Sequence, residues 1–289
     1  MISGALLLGT NSGLKRIFAK VLRLGIALIF WSVVYALIIG NYDKNLLSFL
    51  GTVLDGFGHC WFLYMIAGLY LIIPILDRMI DSEKVTNYFL LLSLLFAFIV
   101  PRLGTIYPAI TGRSFGILND KIEEMYLYLP LGYSGYFVLG YLLHKKRVSS
   151  KFKRAVVILA GLGFAFVFFI HLFKKGDNVF RQMFPMGYIT PVVLIESVAV
   201  FFVCKKLFEK VHISSEKIKK ALCLVSKWTF GVYLVHILVQ NFFLNILNLT
   251  NYIGTSIASM LLSSLIVFLV SLGISAALNS IPVIKKYIV

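Results

Sequence analysis

A chain of 289 residues that is 60% hydrophobic and only 14% charged, with a mean hydropathy of +0.91, lacks the polar material to cover a water-soluble fold. Its 28 Lys and Arg against 12 Asp and Glu give a formal charge of +16, but the cations sit in short clusters between apolar runs. That pattern marks the loops of a membrane protein and excludes a nucleic-acid partner. Cys60, Cys204 and Cys223 form neither a CxxC pair nor a metal-spaced group, so neither a structural disulfide nor a metal site is expected.

Taken in order, the chain begins with an apolar stretch, Met1 to Leu8, too short to cross a bilayer at 1.5 Å per residue. Arg16, Lys20 and Arg23 follow at i, i+4 and i+7, one face of a helix that feeds a span from about Leu24 to Ile39. They serve either as an inside anchor or as a site for a phosphate-rich anion. A mixed loop from Asn41 to Gly58 holds a short amphipathic helix around Leu46 to Leu54. His59 to Pro74 then reads as a helix, uncharged from Cys60 to Leu76, with a bend expected at Leu71 to Pro74.

Further spans are expected at about Thr86 to Val100, stopped by Pro101, and at Met125 to Leu143, where Gly132, Gly135 and Gly140 permit close helix approach. Arg102 and Arg113 lie in the intervening loop. The basic block His144 to Arg154 precedes a span from Ala155 to Leu172. Another span covers Tyr188 to Cys204, a second basic block runs from Lys205 to Lys220, and spans at Leu222 to Leu244 and Ile257 to Leu278 complete the chain. The expected fold is therefore all-α, a polytopic integral membrane helical bundle of eight complete spans plus an N-terminal partial span. Runs such as AVVILAGLGFAFVFFI do not alternate as barrel strands would. Placing the basic blocks inside puts the C-terminus in the cytoplasm.

Walker, Rossmann, HExxH and GxSxG patterns are absent. Polar exceptions inside the spans carry the chemistry, because an unpaired polar group is costly in hydrocarbon. Tyr233, His236 and Gln240 share one face at i−3, i and i+4, either as an interhelical hydrogen-bonding set or as a substrate-facing one. His59, Trp61 and Tyr64 fit an interfacial belt or a cavity wall. Glu196 braces a neighbouring helix or lines a polar path, and His171 reads as an interfacial residue. Arg102 and Arg113 are solvated loop residues or contacts for an anionic acceptor.

ISGALLL (residues 2–8), LIFWSVVY (28–35), WFLYMIAGLYLIIPIL (61–76), GYSGYFVLGYLL (132–143) and SKWTFGVYLVHILV (226–239) occur in an order that resembles the membrane acyltransferase-3 family. The resemblance implies O-acetylation at a bacterial cell membrane: an acetyl group passes from acetyl-CoA, as a substrate and not a resident cofactor, to a hydroxyl of a cell-surface glycan or glycolipid. Membrane lipid is the other partner implied, and the oligomeric state is left open. On the same basis Arg16, Lys20 and Arg23 match the region near the CoA phosphates. Trp61, Phe62 and Tyr64 match the family's aromatic helix, and Tyr233 and His236 match the motif near the transfer cavity. Members of the family usually begin with a further span bearing an essential histidine, whereas this chain begins at the SG motif. The expectation is then a single domain, 1–289, truncated at its N-terminus, with its catalytic residues unknown and little or no activity. The runner-up is a transporter or exporter of a lipid-linked saccharide, with polar groups near His236 and Glu196 along its path.

Overall fold

A computed structural model describes residues 1–10, 13–40, 45–112, 121, 124–146, 148–173, 187–210, 215–243 and 257–288. Their regular structure is entirely helical, which satisfies backbone hydrogen bonds inside each apolar segment. In chain order the helices are α1 (Ile2–Leu7), α2 (Leu14–Ile38), α3 (Leu46–Asp55), α4 (Trp61–Leu71), α5 (Ile73–Met79), α6 (Glu83–Leu92), α7 (Val100–Thr111), α8 (Tyr128–Lys145), α9 (Ser150–Phe173), α10 (Pro191–Lys210), α11 (Glu216–Asn241), α12 (Ile257–Asn279) and α13 (Pro282–Tyr287). A 3-10 turn at Gly58–Cys60 leads into α4, and a π-helical segment, Ser93–Ile99, joins α6 to α7.

Local sequence explains several boundaries. Asn45 caps α3 by accepting from the Leu47 backbone N–H at 3.1 Å, and Ser82 caps α6 by accepting from that of Val85 at 3.4 Å. α3 ends at Gly56, whose φ of 67° suits a residue without Cβ. Where a bend is expected near Pro74 the helix breaks: α4 ends at Leu71, and Pro74 lies in the first turn of α5, where its missing N–H costs nothing. Pro101, in contrast, does not stop its helix. The wider π turn precedes it and α7 takes it up in its first turn, so Arg102 is helical and not part of a loop.

Among the described residues five helices are long and apolar enough to cross a membrane: Leu14–Ile38, Glu83–Pro108, Ser150–Phe169, Glu216–Asn241 and Ala258–Asn279. A sixth results if Leu46–Asp55 and Gly58–Leu71, bent by 43°, form one broken span. The expectation of eight complete spans plus a partial one is corrected to this number. α4 has 11 residues, too few to cross alone. In α8 the tyrosines and glycines of YLPLGYSGYFVLGYLLHK dilute the hydropathy and the last turn ends in His144 and Lys145. In α10 the acid Glu196 and the charges at Lys205, Lys206 and Glu209 interrupt the apolar run. The exposed faces that remain are apolar, as with Ile158, Leu162 and Phe164 on α9 and Leu261, Leu262 and Leu265 on α12, the surface of a polytopic membrane protein for which lipid is the solvent.

The chain forms two compact units. The first comprises Met1–Leu14 and Leu71–His212. Within it α1 lies directly on α8: a Cβ on Gly4 would strike the Phe137 carbonyl, and one on Gly140 would strike that of Met1. The π segment also packs on α8, where Ser93 Oγ donates to the Leu131 carbonyl at 2.6 Å. α9 and α10 enclose Leu143, Val156, Ala160, Val198, Ala199 and Phe202.

The second unit comprises Lys15–Tyr70 and Ile213–Val289. Its core is Trp31, Tyr35, Leu63, Leu234, Val235 and Val239, so α2, α4 and α11 meet there. Tyr35 hydroxyl donates to the Leu234 carbonyl at 2.8 Å. α12 runs against α11, with Ser275 Oγ donating to the Trp228 carbonyl at 2.7 Å.

Candidate functional site

Within the second unit, Lys20 and Arg23 project from α2. Lys20 Nζ stands 5.8 Å from the centroid of the Tyr70 ring, and Arg23 Cζ stands 5.9 Å from that of Phe230. These cation–π contacts hold two long side chains near one place. Lys227 from α11 and Lys285 from α13 join them, with Leu24 and Asn279, around a cavity of about 510 Å³. None of the lining residues is acidic. Four cations converging without a carboxylate in the wall create a field suited to a polyanion, above all a phosphorylated one.

A second cluster gathers around the turn between α3 and α4. Tyr35 stacks on Phe57 with centroids 4.7 Å apart and meets His59 at 4.9 Å. His59 lies edge-on to both Tyr233, at 5.6 Å, and His236, at 5.4 Å, while Phe62 meets Tyr233 at 5.6 Å. Tyr233 hydroxyl donates to the His59 carbonyl at 2.5 Å. On the His59 ring, Nε2 is 3.8 Å from Cys60 Sγ, and Nδ1 is buried with no hydrogen-bond partner among the described residues.

His236 Nδ1 lies 2.6 Å from the Tyr233 carbonyl oxygen. A carbonyl only accepts, so Nδ1 carries the proton and the lone pair of the neutral ring is at Nε2. His236, Gln240, Ser263 and Ser264 supply the polar lining of a cavity of about 390 Å³, with Val232, Phe243, Val267 and Phe268 as its apolar walls. Ser263 and Ser264 both donate to the Met260 carbonyl, at 3.0 and 2.8 Å, which leaves their oxygens as acceptors. The lining is uncharged and rich in acceptors, and it complements a group that donates, such as a hydroxyl. Lys227 in the cationic pocket and His236 in this cavity are nine residues apart on α11, about 14 Å along its axis.

The remaining sequence candidates fall as follows. Arg16 is exposed and is not among the residues lining the cationic pocket. Trp61 is 38% exposed and meets Phe62 edge-on at 6.2 Å. Tyr64 hydroxyl donates to the Leu54 carbonyl at 3.1 Å and so closes the last turn of α3. In the first unit, Arg102 Nη2 donates to the Ile189 carbonyl at 3.4 Å and Glu196 is half-buried on α10. Arg113 and the side chain of His171 lie outside the described residues. Among the described residues no group of three or more His, Cys, Asp or Glu is placed to share a metal ion. Sequence reasoning did not assign Lys227, Lys285, Tyr70, Ser263 or Ser264 to a site. Lys227 is visible in the sequence only as a polar residue in the span of His236, Lys285 only as a basic residue after the last span, and the serines only as polar residues in an apolar helix.

A family model described as an acyltransferase domain matches residues 1–279 and so runs through both units. No curated protein and no solved structure matches the chain.

Proposed function

The chain belongs to this membrane acyltransferase-3 family, and from that premise we propose, in place of the little or no activity expected from its sequence, that it transfers an acyl group, acetyl from acetyl-CoA, to a hydroxyl of a cell-surface glycan or glycolipid at the bacterial cell membrane. One observation supports the reading most. An acid-free pocket of four cations and a neutral cavity bearing a histidine lie on one helix, about 14 Å apart. A CoA thioester has the same division, with phosphates at one end and the reactive carbonyl at the other.

In this reading Lys20, Arg23, Lys227 and Lys285 hold the donor's phosphates. The acceptor hydroxyl enters beside His236, with Gln240, Ser263 and Ser264 as its hydrogen-bonding partners. His236 takes the hydroxyl proton at Nε2 while the oxygen attacks the thioester carbonyl. The C–S bond then breaks, and the thiolate recovers the proton from Nε2 to leave as free CoA. The cationic pocket faces the cytoplasm, since Lys20, Arg23 and Lys285 belong to the stretches that the positive-inside pattern assigns there and Lys227 lies on the half of α11 that adjoins the Lys205 to Lys220 block.

The test is transfer of labelled acetyl from acetyl-CoA to the glycan fraction of membranes carrying the protein. His236→Ala is expected to lower the rate by about 100-fold or more, with unchanged abundance in the membrane. Equal rates for the two proteins would remove His236 from the chemistry. Saccharide flux without acetyl incorporation would favour the transport reading instead.

A further inference from the structure

The family match ends at residue 279, but the cationic pocket does not. Beyond α12 the chain turns through Ser280 and Ile281, whose backbone N–H groups bond the carbonyls of Ala277 at 3.1 Å and Leu278 at 3.2 Å. Pro282 then starts α13 within its first turn, a position where proline's fixed φ favours the helix. Two contacts fasten this short helix. Ile284 and Ile288 pack against the core around Trp31 and Tyr35, and Trp31 Nε1 donates to the Ile288 carbonyl at 3.1 Å. Lys285 lies between these two apolar anchors, one position past Ile284, and its side chain lines the pocket with Lys20, Arg23 and Lys227.

We infer that α13 is a specificity element of this pocket: through Lys285 it supplies a cation from outside the matched region and makes the site prefer a ligand with several phosphates to one with fewer. The inference rests on the donor reading above. Lys20 and Arg23 come from one helix and are each steadied by an aromatic ring, and they alone offer a patch for one phosphate group. Lys227 and Lys285 come from two other helices, so the cations surround the cavity and reach phosphates that are separated within one ligand. The shared chemistry is that of phosphate esters, which a soluble CoA donor and an anionic lipid headgroup both present.

The full chain in phosphatidylcholine nanodiscs is titrated calorimetrically with CoA and with dephospho-CoA, which lacks one phosphate. The wild-type protein should bind CoA more tightly. Lys285→Gln should weaken CoA binding by about tenfold, leave dephospho-CoA binding little changed and so remove most of the preference, and Lys285→Arg should restore it. Trp31→Phe, which releases the Ile288 carbonyl and so loosens α13 while removing none of the four cationic side chains, should weaken CoA binding in the same selective way. A second arm adds phosphatidylglycerol to the nanodiscs, and CoA binding should persist there. Tight, discriminating CoA binding by both the wild type and Lys285→Gln would overturn the role of Lys285 and leave the donor reading standing. No CoA binding by the wild type, with Lys285-dependent retention of phosphatidylglycerol, would overturn the donor reading and assign the pocket to lipid.

Discussion

The proton on His236 is fixed by its own helix, since Nδ1 reaches back to the Tyr233 carbonyl three residues earlier. An asparagine amide occupies nearly the position of Nδ1 and keeps that donation, yet it offers nothing at the position of Nε2. His236→Asn is therefore expected to keep the thermal stability of the wild type and to lose acetyl transfer by about 100-fold or more; a variant with near wild-type turnover would show that Nε2 takes no proton. Tyr233→Phe probes the neighbouring bond. Loss of the hydroxyl that donates to the His59 carbonyl should destabilise the protein by about 1 kcal/mol, read as a lower midpoint in thermal unfolding. The helical spacing of Tyr233, His236 and Gln240 was plain in the sequence, and His236 and Gln240 do line one cavity. The turn of the Tyr233 hydroxyl toward His59, and the approach of Ser263 and Ser264 from α12, depend on which helices are neighbours. Nothing in a single apolar segment records that. Arg16 shows the reverse: one face of one helix was legible, but the cations that complete the pocket come from residues 227 and 285.

Helix α8 illustrates what glycine spacing tells in advance. Gly135 and Gly140 do mark close approaches, with Ser93 crowding the first and the Met1 carbonyl the second, but the partners were not readable from the glycines. Gly140→Ala pushes a methyl group against a backbone carbonyl, which cannot rotate away as a side chain can. The expected cost is about 1–3 kcal/mol, whereas Gly161→Ala on α9, with open space around it, should be neutral or slightly stabilising; equal denaturation midpoints for the two variants would count against the backbone contact of α1 with α8. Proline was the less reliable marker. Pro74 coincides with a break and Pro101 does not, because the preceding π turn lets the helix continue past the residue that lacks an N–H.

For the molecule as a whole, composition alone established membrane residence, and it did so because a chain with this little charge has no aqueous alternative. The number of crossings was harder. Apolar runs of fifteen to seventeen residues read as spans, yet hydropathy does not reveal where a helix breaks, as at Ile72, or how Glu196, Lys205, Lys206 and Glu209 shorten the apolar run within α10. The paired spans α11 and α12 give a direct check. In a background without Cys60, Cys204 and Cys223, single cysteines at Ser215 and Ser280 should react with an impermeant maleimide from the same side, the cytoplasmic one; labelling from opposite sides would break the pairing. The bond from Trp31 to Ile288 also has a consequence for synthesis. The two residues are 257 positions apart, so a ribosome has delivered Lys20 and Arg23 into the membrane long before Lys285 leaves its exit tunnel. A nascent chain holds Lys20 and Arg23 first, gains Lys227 with α11 and completes the set only with Lys285, which defers full capture of the donor until α13 has followed α12 out of the ribosome.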